Sequence, residues 1–324
     1  MSIACAKAVW LTRSLKILPV VIRPAVAEDA NDIWSIFQAV VAGRDTYAFL
    51  PDTPRHEAVG YWLGDDTITY VAELNGRVVG MYKLLANRRG LGSHVSNASF
   101  MVHPDSFGRG VGYTMGVHCL QEARRQGYDA MQFNFVVSTN ARAVALWERL
   151  GFRIVGTLPR SFRHGTLGLV DAFVMYRALD DIVLTFGAQP ADASAIVRQS
   201  AYAVVTNGGG EIAIVDASEG VLLPGGGVDA DESTESAVIR EVAEECALRV
   251  DVTGELGQAI QFVTSQKKRA TFEKRSRFVS AQVRASDARA PEHSTRWLAP
   301  EEALTSVTYE SHAWAIRRWL RLNT

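Results

Sequence analysis

A glycine-rich loop followed by an acid-rich helix pattern, within residues 222–248, constrains the fold of this chain more than any other feature. The loop reads Leu-Leu-Pro-Gly-Gly-Gly from Leu222, and a helix is predicted behind it. At about 100° per residue, Glu241, Glu244 and Glu245 fall on one arc of that helix, while the adjacent arc is apolar. One face therefore packs against a core and the other collects carboxylates, which repel each other unless a cation neutralises them. Oxygen ligands of this kind favour Mg²⁺ or Mn²⁺.

This segment resembles the Nudix box, in which a glycine, five residues, a glutamate and seven residues precede Arg-Glu-apolar-x-Glu-Glu-x-Gly-apolar. The chain matches eight of the nine defined positions, which are Gly226, Glu232, Arg240, Glu241, Val242, Glu244, Glu245 and Leu248. Ala247 departs from the pattern, which has glycine there. The resemblance implies a Nudix α/β/α sandwich that hydrolyses a nucleoside diphosphate derivative with Mg²⁺ or Mn²⁺. It also implies metal ligands at Gly226, Glu241, Glu244 and Glu245, catalytic roles for these three glutamates, and a contact from Glu232 that orients Arg240.

Two charged features outside the box have alternative interpretations. The segment 267–277 holds six cations in eleven residues. It either reaches a substrate phosphate or forms a basic hairpin face. A late metal ligand of the kind this family often uses would be Glu292, ranked first, or Glu273.

The box itself has two alternative interpretations, a solvated acidic helix face or a nucleotide-binding domain without catalysis. The glycine loop argues against the first, and the intact glutamates argue against the second.

A second glycine-rich turn, Gly108–Gly112, follows a strand pattern that ends at Val102 and precedes a helix pattern. Glycine lets the backbone approach a diphosphate, and the unpaired N–H groups and dipole of a helix start attract it. A plain tight turn is the alternative. About thirty residues further on, Asn140 starts another helix pattern, which stops before Gly151.

Together these segments resemble the GNAT acetyltransferases over roughly residues 18–180. The resemblance implies a mixed central sheet with flanking helices, and acetyl-CoA as the cofactor. Its cofactor-binding residues would be Val102, Gly108, Arg109, Gly110, Val111, Gly112, Tyr113 and Asn140. Phe107 stands where the superfamily commonly has Gln or Arg, and Trp147 stands where many members have a tyrosine acid. A tryptophan cannot donate that proton, so we interpret Trp147 as core packing.

A narrower similarity links the first half to fungal N-acetyltransferases of azetidine-2-carboxylate and proline analogues. It rests on the segments 93–98, 134–140 and 170–172 and on the helix that carries Trp147. It implies that Asn97 and Asn134 hold a small amino-acid-like amine; the alternative is that such asparagines only satisfy backbone groups at a bulge.

The sequence leaves the base that takes the acceptor's proton unassigned. His94 and Asp171 are candidates by chemistry alone. Arg88 and Arg89 are candidates to receive a substrate carboxylate, although an exposed basic pair is usually only solvated. These residues are therefore alternatives that the fold must test.

The chain divides near residue 181, because the segment 187–195 lacks large apolar residues and carries turn formers. We expect an N-terminal extension at 1–17, an acetyltransferase domain at 18–180 and a hydrolase domain at 181–324. Both are α/β (α+β) in class. The length of 324 residues also favours two domains. Residues 1–180 hold 19 basic and 15 acidic residues, and the remainder holds 15 and 20, a balance too even to indicate nucleic acid or an anionic membrane as partner.

Further expectations concern location and partners. No run approaches the about 18 to 20 apolar residues of a membrane span, and the first 16 residues lack a signal-like apolar core. Three scattered cysteines predict reduced thiols. We therefore expect a cytoplasmic enzyme with small-molecule substrates, and we leave a homodimer open. The sequence predicts a bifunctional N-acetyltransferase and hydrolase; the alternative is a hydrolase regulated by a non-catalytic acetyl-CoA-sensing half.

Overall fold

The computed structural model describes residues 20–64, 67–190, 195–265 and 269–323. Within these ranges the strands form two sheets, one in each half of the chain. The predicted extension at 1–17, with Cys5, lies outside the described residues, and the predicted connection at 187–195 lies partly outside them. The predicted class, a mixed α/β fold with helices flanking mixed sheets, is confirmed.

The first sheet has seven strands in the order β1-β2-β3-β4-β5-β7-β6. The strands are β1 (Val21–Pro24), β2 (Ile68–Leu74), β3 (Arg77–Ala86), β4 (Val95–Val102), β5 (Ala130–Val137), β6 (Arg153–His164) and β7 (Gly168–Ala178). The helices are α1 (Ala30–Val41), α2 (Arg55–Leu63), α3 (Val111–Arg125) and α4 (Ala141–Arg149). An Asn75-Gly76 turn, with positive φ at both residues, joins β2 to β3 as a tight hairpin.

The strands β4 and β5 open the first sheet at its centre. They are parallel and pair at Val95 with Ala130 and at Ser96 with Met131. Beyond these pairs the two strands have no further register partners in each other, so a gap follows. Helix α3 covers one face of the sheet, where its Met115 is buried, and α1 and α2 cover the other, where Met101 is buried. The gap therefore lies between two packed layers.

The second sheet forms the centre of an α/β/α sandwich. Its strands are β8 (Leu184–Phe186), β9 (Ile196–Thr206), β10 (Ile212–Ala217), β11 (Gly220–Leu222), β12 (Gly225–Gly227), β13 (Leu248–Ser265), β14 (Ala270–Ser286) and β15 (Ser294–Leu298). Its helices are α5 (Thr234–Cys246), α6 (Pro300–Ser306) and α7 (Glu310–Asn323). Helix α5 buries Val238 and Val242 against one face, and α6 and α7 bury Ala303 and Trp314 against the other.

Helix α7 also connects the two halves of the molecule. Its side chains donate hydrogen bonds to the last carbonyls of α3: Trp314 Nε1 to Arg124 O at 2.8 Å, Arg317 Nη1 to Arg125 O at 3.0 Å and Arg321 Nε to Gln126 O at 2.5 Å. An ion pair joins Arg318 to Asp129. Because the last carbonyls of a helix largely lack partners within it, α7 caps the C-terminus of α3.

Two further expectations from the sequence concern the cysteines and membrane-spanning helices. Cys119 and Cys246 are buried free thiols. No helix in the described ranges combines the length and apolar character that a membrane crossing requires.

Candidate active sites

The glycine turn of the first half leads directly from β4 into α3. Gly110 is the N-cap of α3 with φ +81°, a left-handed conformation that favours glycine. A β-carbon on Gly108 or Gly110 would meet nothing within 4 Å, so the turn faces open space. The first N–H groups of α3 have no acceptor within the helix. Every predicted cofactor-binding residue from Val102 to Tyr113 lies on the end of β4, on this turn or on the first turn of α3.

Asn140 has a structural role that the sequence reasoning missed. It is the N-cap of α4, and its Oδ1 accepts a hydrogen bond from Ala143 N at 3.2 Å. An asparagine directly before a helical run is a typical capping signal, which could have revealed this role. Helix α4 packs beside the start of α3, since a β-carbon on Gly112 would come within 3.3 Å of the Leu146 side chain. The capping bond uses the side-chain oxygen Oδ1 of Asn140, so the side-chain Nδ2 group can donate to another partner.

Asn97 and Asn134 lie on the two strands that border the gap. Ser96 and Met131 are register partners on parallel strands, so the residues that follow them, Asn97 and Gln132, share the face opposite α3. Asn134 lies two positions after Gln132 and is on the same face. Asn134 lies at an irregularity of β5, yet its side chain bonds other side chains and not backbone. Its Nδ2 donates to Asn87 Oδ1 at 2.7 Å, and Gln132 Nε2 donates to its Oδ1 at 2.8 Å.

The candidate bases have structural contacts of their own. Asp171 Oδ1 accepts a hydrogen bond from Arg160 N at 2.8 Å, where it supports the turn within β6. His94 contacts its neighbours through the backbone, where its carbonyl accepts a hydrogen bond from Asp129 N at 2.9 Å, and this bond does not involve the imidazole. Arg88 is exposed and bonds the carbonyl of its neighbour Asn87.

Trp147 is buried against three aromatic rings, Phe100, Phe133 and Phe152. The interpretation of this tryptophan as core packing is therefore confirmed. The indole fills the layer between the sheet and α4, at a position where a tyrosine hydroxyl would need a polar partner.

In the second half, Arg240 lies at the centre of the acidic helix face. Its guanidinium donates to both oxygens of Glu232 at 3.0 and 2.8 Å, to Glu241 at 2.8 Å and to Glu244 at 3.4 Å. It also donates to the Gly227 carbonyl at 3.0 Å. The hydrogen bonds from Arg240 hold the pKa of Glu232 below its usual value. One arginine thus ties the glycine loop to three of the box glutamates.

Glu245 is the most enclosed carboxylate of this face. Its Oε2 accepts a hydrogen bond from Gly225 N at 2.9 Å, and His293 Nε2 lies 3.6 Å from its Oε1. Burial, followed by the charges of Glu241 and Glu292, raises the pKa of Glu245 to about 7, against the bond from Gly225, which lowers it. This carboxylate therefore lies where further negative charge is unfavourable.

Gly226 and Ala247 show why the pattern has glycine at their positions. A β-carbon on Gly226 would lie 2.6 Å from the Glu241 carboxylate, so a side chain there would displace Glu241. The residue at 247 ends α5 with φ +53°, in the left-handed region that glycine adopts without strain. Ala247 adopts this conformation despite its β-carbon, which costs about 1 kcal/mol.

The donor set of this face fits a hard divalent cation in its chemistry. Carboxylate oxygens and the Gly226 carbonyl are the ligand types that Mg²⁺ and Mn²⁺ prefer. Burial and mutual repulsion at Glu245 are relieved by added positive charge. No three acidic, histidine or cysteine side chains converge on a common point in the described part of the chain, and Arg240 supplies the counter-charge that the carboxylates share.

The two candidates for a late ligand are in different places. Glu292 N donates to Glu244 O at 3.0 Å and His293 N to Glu245 O at 3.2 Å, so this segment packs against the end of α5. Glu273 instead pairs with Arg275 on the β13–β14 hairpin, at 2.6 Å. His293 was not singled out from the sequence, because nothing in its local pattern indicates contact with a helix about fifty residues earlier. Lys267 and Lys268 lie outside the described residues.

Comparison with known families identifies one domain in each half of the chain. The model of the Acetyltransferase (GNAT) family matches residues 31–152, and the model of the NUDIX domain matches residues 197–321. The chain joins a GNAT domain to a NUDIX domain. Both family resemblances predicted from the sequence are thereby confirmed.

Individual relatives match the GNAT domain. The N-acetyltransferase aca1 of Schizosaccharomyces pombe is 32% identical over 110 residues, which are 34% of this chain and 53% of that protein. The chain thus spans about half the length of this curated relative. A GCN5-related N-acetyltransferase from Kribbella flavida is 40% identical, with a TM-score of 0.47, over 49% of this chain and 97% of its own. A phosphinothricin acetyltransferase from Sinorhizobium meliloti, solved with acetyl-CoA, is 23% identical, with a TM-score of 0.43, over 49% and 88%.

Proposed function

We propose that the chain is a bifunctional enzyme, an acetyl-CoA-dependent N-acetyltransferase and a Mg²⁺-dependent or Mn²⁺-dependent Nudix hydrolase. The observation that carries this proposal is that each family domain holds its own set of site residues. The glycine turn at the start of α3 serves the first domain, and the arginine-centred glutamate face of α5 serves the second. The two sets share no residue.

In the first domain, the open turn of Gly108, Arg109, Gly110, Val111 and Gly112 would hold the diphosphate of acetyl-CoA through backbone N–H groups. Val102 and Tyr113 lie at the two ends of this segment, and Asn140 would use its free amide N–H groups toward the cofactor. Acetyl-CoA supplies the thioester whose acyl group the amine acquires.

The faces of β4 and β5 indicate where the acceptor would bind in the first domain. Asn97 and Asn134 would hold a small amino-acid-like amine at the gap between β4 and β5. An amide offers both donors and an acceptor, which suits an amine beside a carboxylate. The bonds from Gln132 and to Asn87 fix the orientation of Asn134 before the substrate arrives.

In the second domain, Glu241, Glu244, Glu245 and the Gly226 carbonyl would hold the metal. When bound, the metal polarises the diphosphate and stabilises the charge that develops on it. Arg240 holds Glu241 and Glu244 in place, Glu232 orients Arg240, and Gly225 orients Glu245. A glutamate of this face, Glu241 first, would accept the proton of the attacking water.

Two screens of the full-length protein test these activities. Acetyl-CoA turnover is measured with a panel of amino acids and amines, and formation of the nucleoside monophosphate is measured over nucleoside diphosphate derivatives with Mg²⁺. We expect activity in both. Acetyl-CoA binding without transfer to any amine, together with a hydrolase rate that changes when acetyl-CoA binds, would favour the regulatory alternative. The capping of α3 by α7 is the contact through which such regulation would act.

The domain boundary near residue 181 and a homodimer stay predictions. In support of the boundary, β7 ends at Ala178 in the first sheet and β8 begins at Leu184 in the second. Limited proteolysis followed by mass analysis of the fragments would test it.

A further inference from the structure

A buried lysine on the acceptor face of the GNAT domain has no part in the functions assigned so far. Lys83 lies on β3 and is 5% exposed. Its Nζ donates to the Tyr61 carbonyl at 2.9 Å and lies 3.0 Å from the centroid of the Tyr61 ring. Among the residues that the structure describes, no carboxylate forms an ion pair with Lys83. A buried cation without a counter-ion is costly to keep.

The surroundings of Lys83 belong to the same face as Asn97. Ser99 is its register partner on β4, and Asn97 is two residues along the same strand, so both side chains share the face of Lys83. The Tyr61 hydroxyl and Ser99 Oγ lie 3.0 Å apart and share one hydrogen bond. Ammonium, hydroxyl and amide groups therefore line this part of the face, and each of them can donate a hydrogen bond.

The contacts of Lys83 leave part of its hydrogen-bonding capacity unused. An ammonium has three N–H groups. The Tyr61 carbonyl takes one and the Tyr61 ring another, so the third is left for a further partner. Burial lowers the pKa of Lys83 to about 8, so the side chain is still mainly cationic at pH 7. The face thus presents a positive charge beside the residues proposed to hold the acceptor.

We propose that Lys83 binds a carboxylate of the acetyl acceptor, so that the GNAT domain selects amino acids over amines that lack a carboxylate. The proposal rests on the acetyltransferase activity proposed above and deepens it by naming the charge of the acceptor. Lys83 replaces Arg88 and Arg89 as the residue predicted to bind that carboxylate. The hydroxyl groups of Ser99 and Tyr61 line the same binding site.

Lys83 also has a structural role, which the test must separate from binding. The Tyr61 carbonyl belongs to the last turn of α2, so Lys83 caps that helix. Loss of a cap would lower stability and would disturb all acceptors alike. Loss of a carboxylate partner affects only acceptors that carry the carboxylate.

The experiment compares each amino acid with its own carboxamide, beginning with azetidine-2-carboxylate and azetidine-2-carboxamide. Acetyl transfer is measured for the wild-type full chain, Lys83→Met and Lys83→Arg, with thermal melting as the check of folding. We expect the wild type to prefer the acid. In Lys83→Met the KM for the acid should rise about 10-fold or more, as for a lost bond to a charged group, while the KM values for the carboxamide and acetyl-CoA change less than about 2-fold. Lys83→Arg, which keeps the charge, should retain the preference for the acid.

Three outcomes would overturn the proposal: a wild type without preference for the acid, an equal change for acid and carboxamide in Lys83→Met, or a carboxylate effect that appears in Arg88→Met and not in Lys83→Met. If Lys83→Met does not fold, the wild-type preference and its retention in Lys83→Arg decide the question. Absence of transfer to every amine would instead contradict the proposed acetyltransferase activity.

Discussion

The two candidate sites of this chain would bind phosphate in opposite ways. In the GNAT domain, the start of α3 presents backbone N–H groups on an open glycine turn, so a diphosphate can bind without a metal. In the NUDIX domain, the face of α5 presents glutamates that share one arginine, and a diphosphate would be repelled unless a cation is added. The first site is built from backbone and the second from side chains.

This difference determines how each site responds to change. A backbone site depends on conformation, so substitutions act through φ and through the space that a side chain takes. A carboxylate site depends on charge and on the exact placement of a few oxygens, so removal of metal or of one ligand acts on the chemistry itself. The predictions below test that contrast.

Among the substitutions that leave the carboxylate ligands in place, the largest effect is expected from Gly226→Ala. Its β-carbon would lie 2.6 Å from the Glu241 carboxylate and would displace it, so hydrolysis should fall about 10- to 100-fold, as for disturbed metal-site partners. Gly227→Ala is the matched control, because a β-carbon there meets nothing within 4 Å. Steady-state hydrolysis with saturating Mg²⁺ checks both. Equal rates in the two variants would show that the position of Glu241 does not matter.

A smaller effect, on the other site, is expected from Gly110→Val. At φ +81° a valine is strained and its side chain enters the open space in front of the turn, so acetyl-CoA affinity should fall about 10-fold. Gly76→Val controls for the strain, since Gly76 has φ +71° and open surroundings in the β2–β3 hairpin. Calorimetry of acetyl-CoA binding measures the difference, and an unchanged affinity in Gly110→Val would place the cofactor elsewhere.

Substitution of the acceptor-side amides should have a more modest effect. Asn97→Ala and Asn134→Ala each remove a hydrogen-bonding group at the gap, which corresponds to about 0.5 to 1.5 kcal/mol, or about 2- to 12-fold in KM for the amine. Asn87→Ala should show part of the Asn134 effect, because it releases the bond that orients Asn134. The KM for acetyl-CoA is the control. A variant that loses cofactor binding and keeps amine binding would reverse the assignment.

The smallest effect is a gain in stability from Ala247→Gly. The residue ends α5 at φ +53°, where glycine avoids the strain of a β-carbon. We expect the free energy of unfolding to rise by at most about 0.5 kcal/mol, because the entropic cost of glycine in the unfolded chain offsets part of the relieved strain, with little change in hydrolysis. Thermal melting of the metal-free protein measures it, and a lower melting temperature would contradict this account of the helix end.

The sequence predicted the local structure that lies within one segment. The glycine loop and the helix of the NUDIX domain lie within 23 residues, from Gly226 to Leu248, so their spacing already specifies which side chains share a face. The turn before α3 was predicted for the same reason. Helix periodicity and glycine turns are local signals, and both sites begin from them.

Contacts between distant segments were beyond this reasoning. The bond from Asn134 to Asn87 and the pair of His293 with Glu245 join residues far apart in the chain. Lys83 is the one charged residue between Val78 and Ala86 in an otherwise largely apolar strand, and its burial depends on α2. The capping of α3 by α7 depends on how the two halves pack, which no local pattern encodes.

Some elements were also missed for local reasons. Strand β13 contains Gly254 and Gly257 at register shifts, which break the alternation that indicates a strand. Strand β6 is an exposed edge strand with Pro159 inside it, so it lacks a buried face. Helix α2 contains Gly60 and buries only two of its side chains, so its amphipathic pattern is weak.

The most direct test of the central claim, that the chain carries two separate sites with opposite requirements, measures both activities on the same samples of full-length protein. Four samples are compared: wild type, wild type with EDTA, Glu244→Gln and Gly110→Val. We predict that EDTA and Glu244→Gln lower hydrolysis by orders of magnitude and leave acetyl transfer intact, because only the carboxylate site needs a cation. Gly110→Val should do the reverse. Loss of both activities in any one sample, with the fold intact by thermal melting, would contradict the account and favour a coupled, regulatory arrangement.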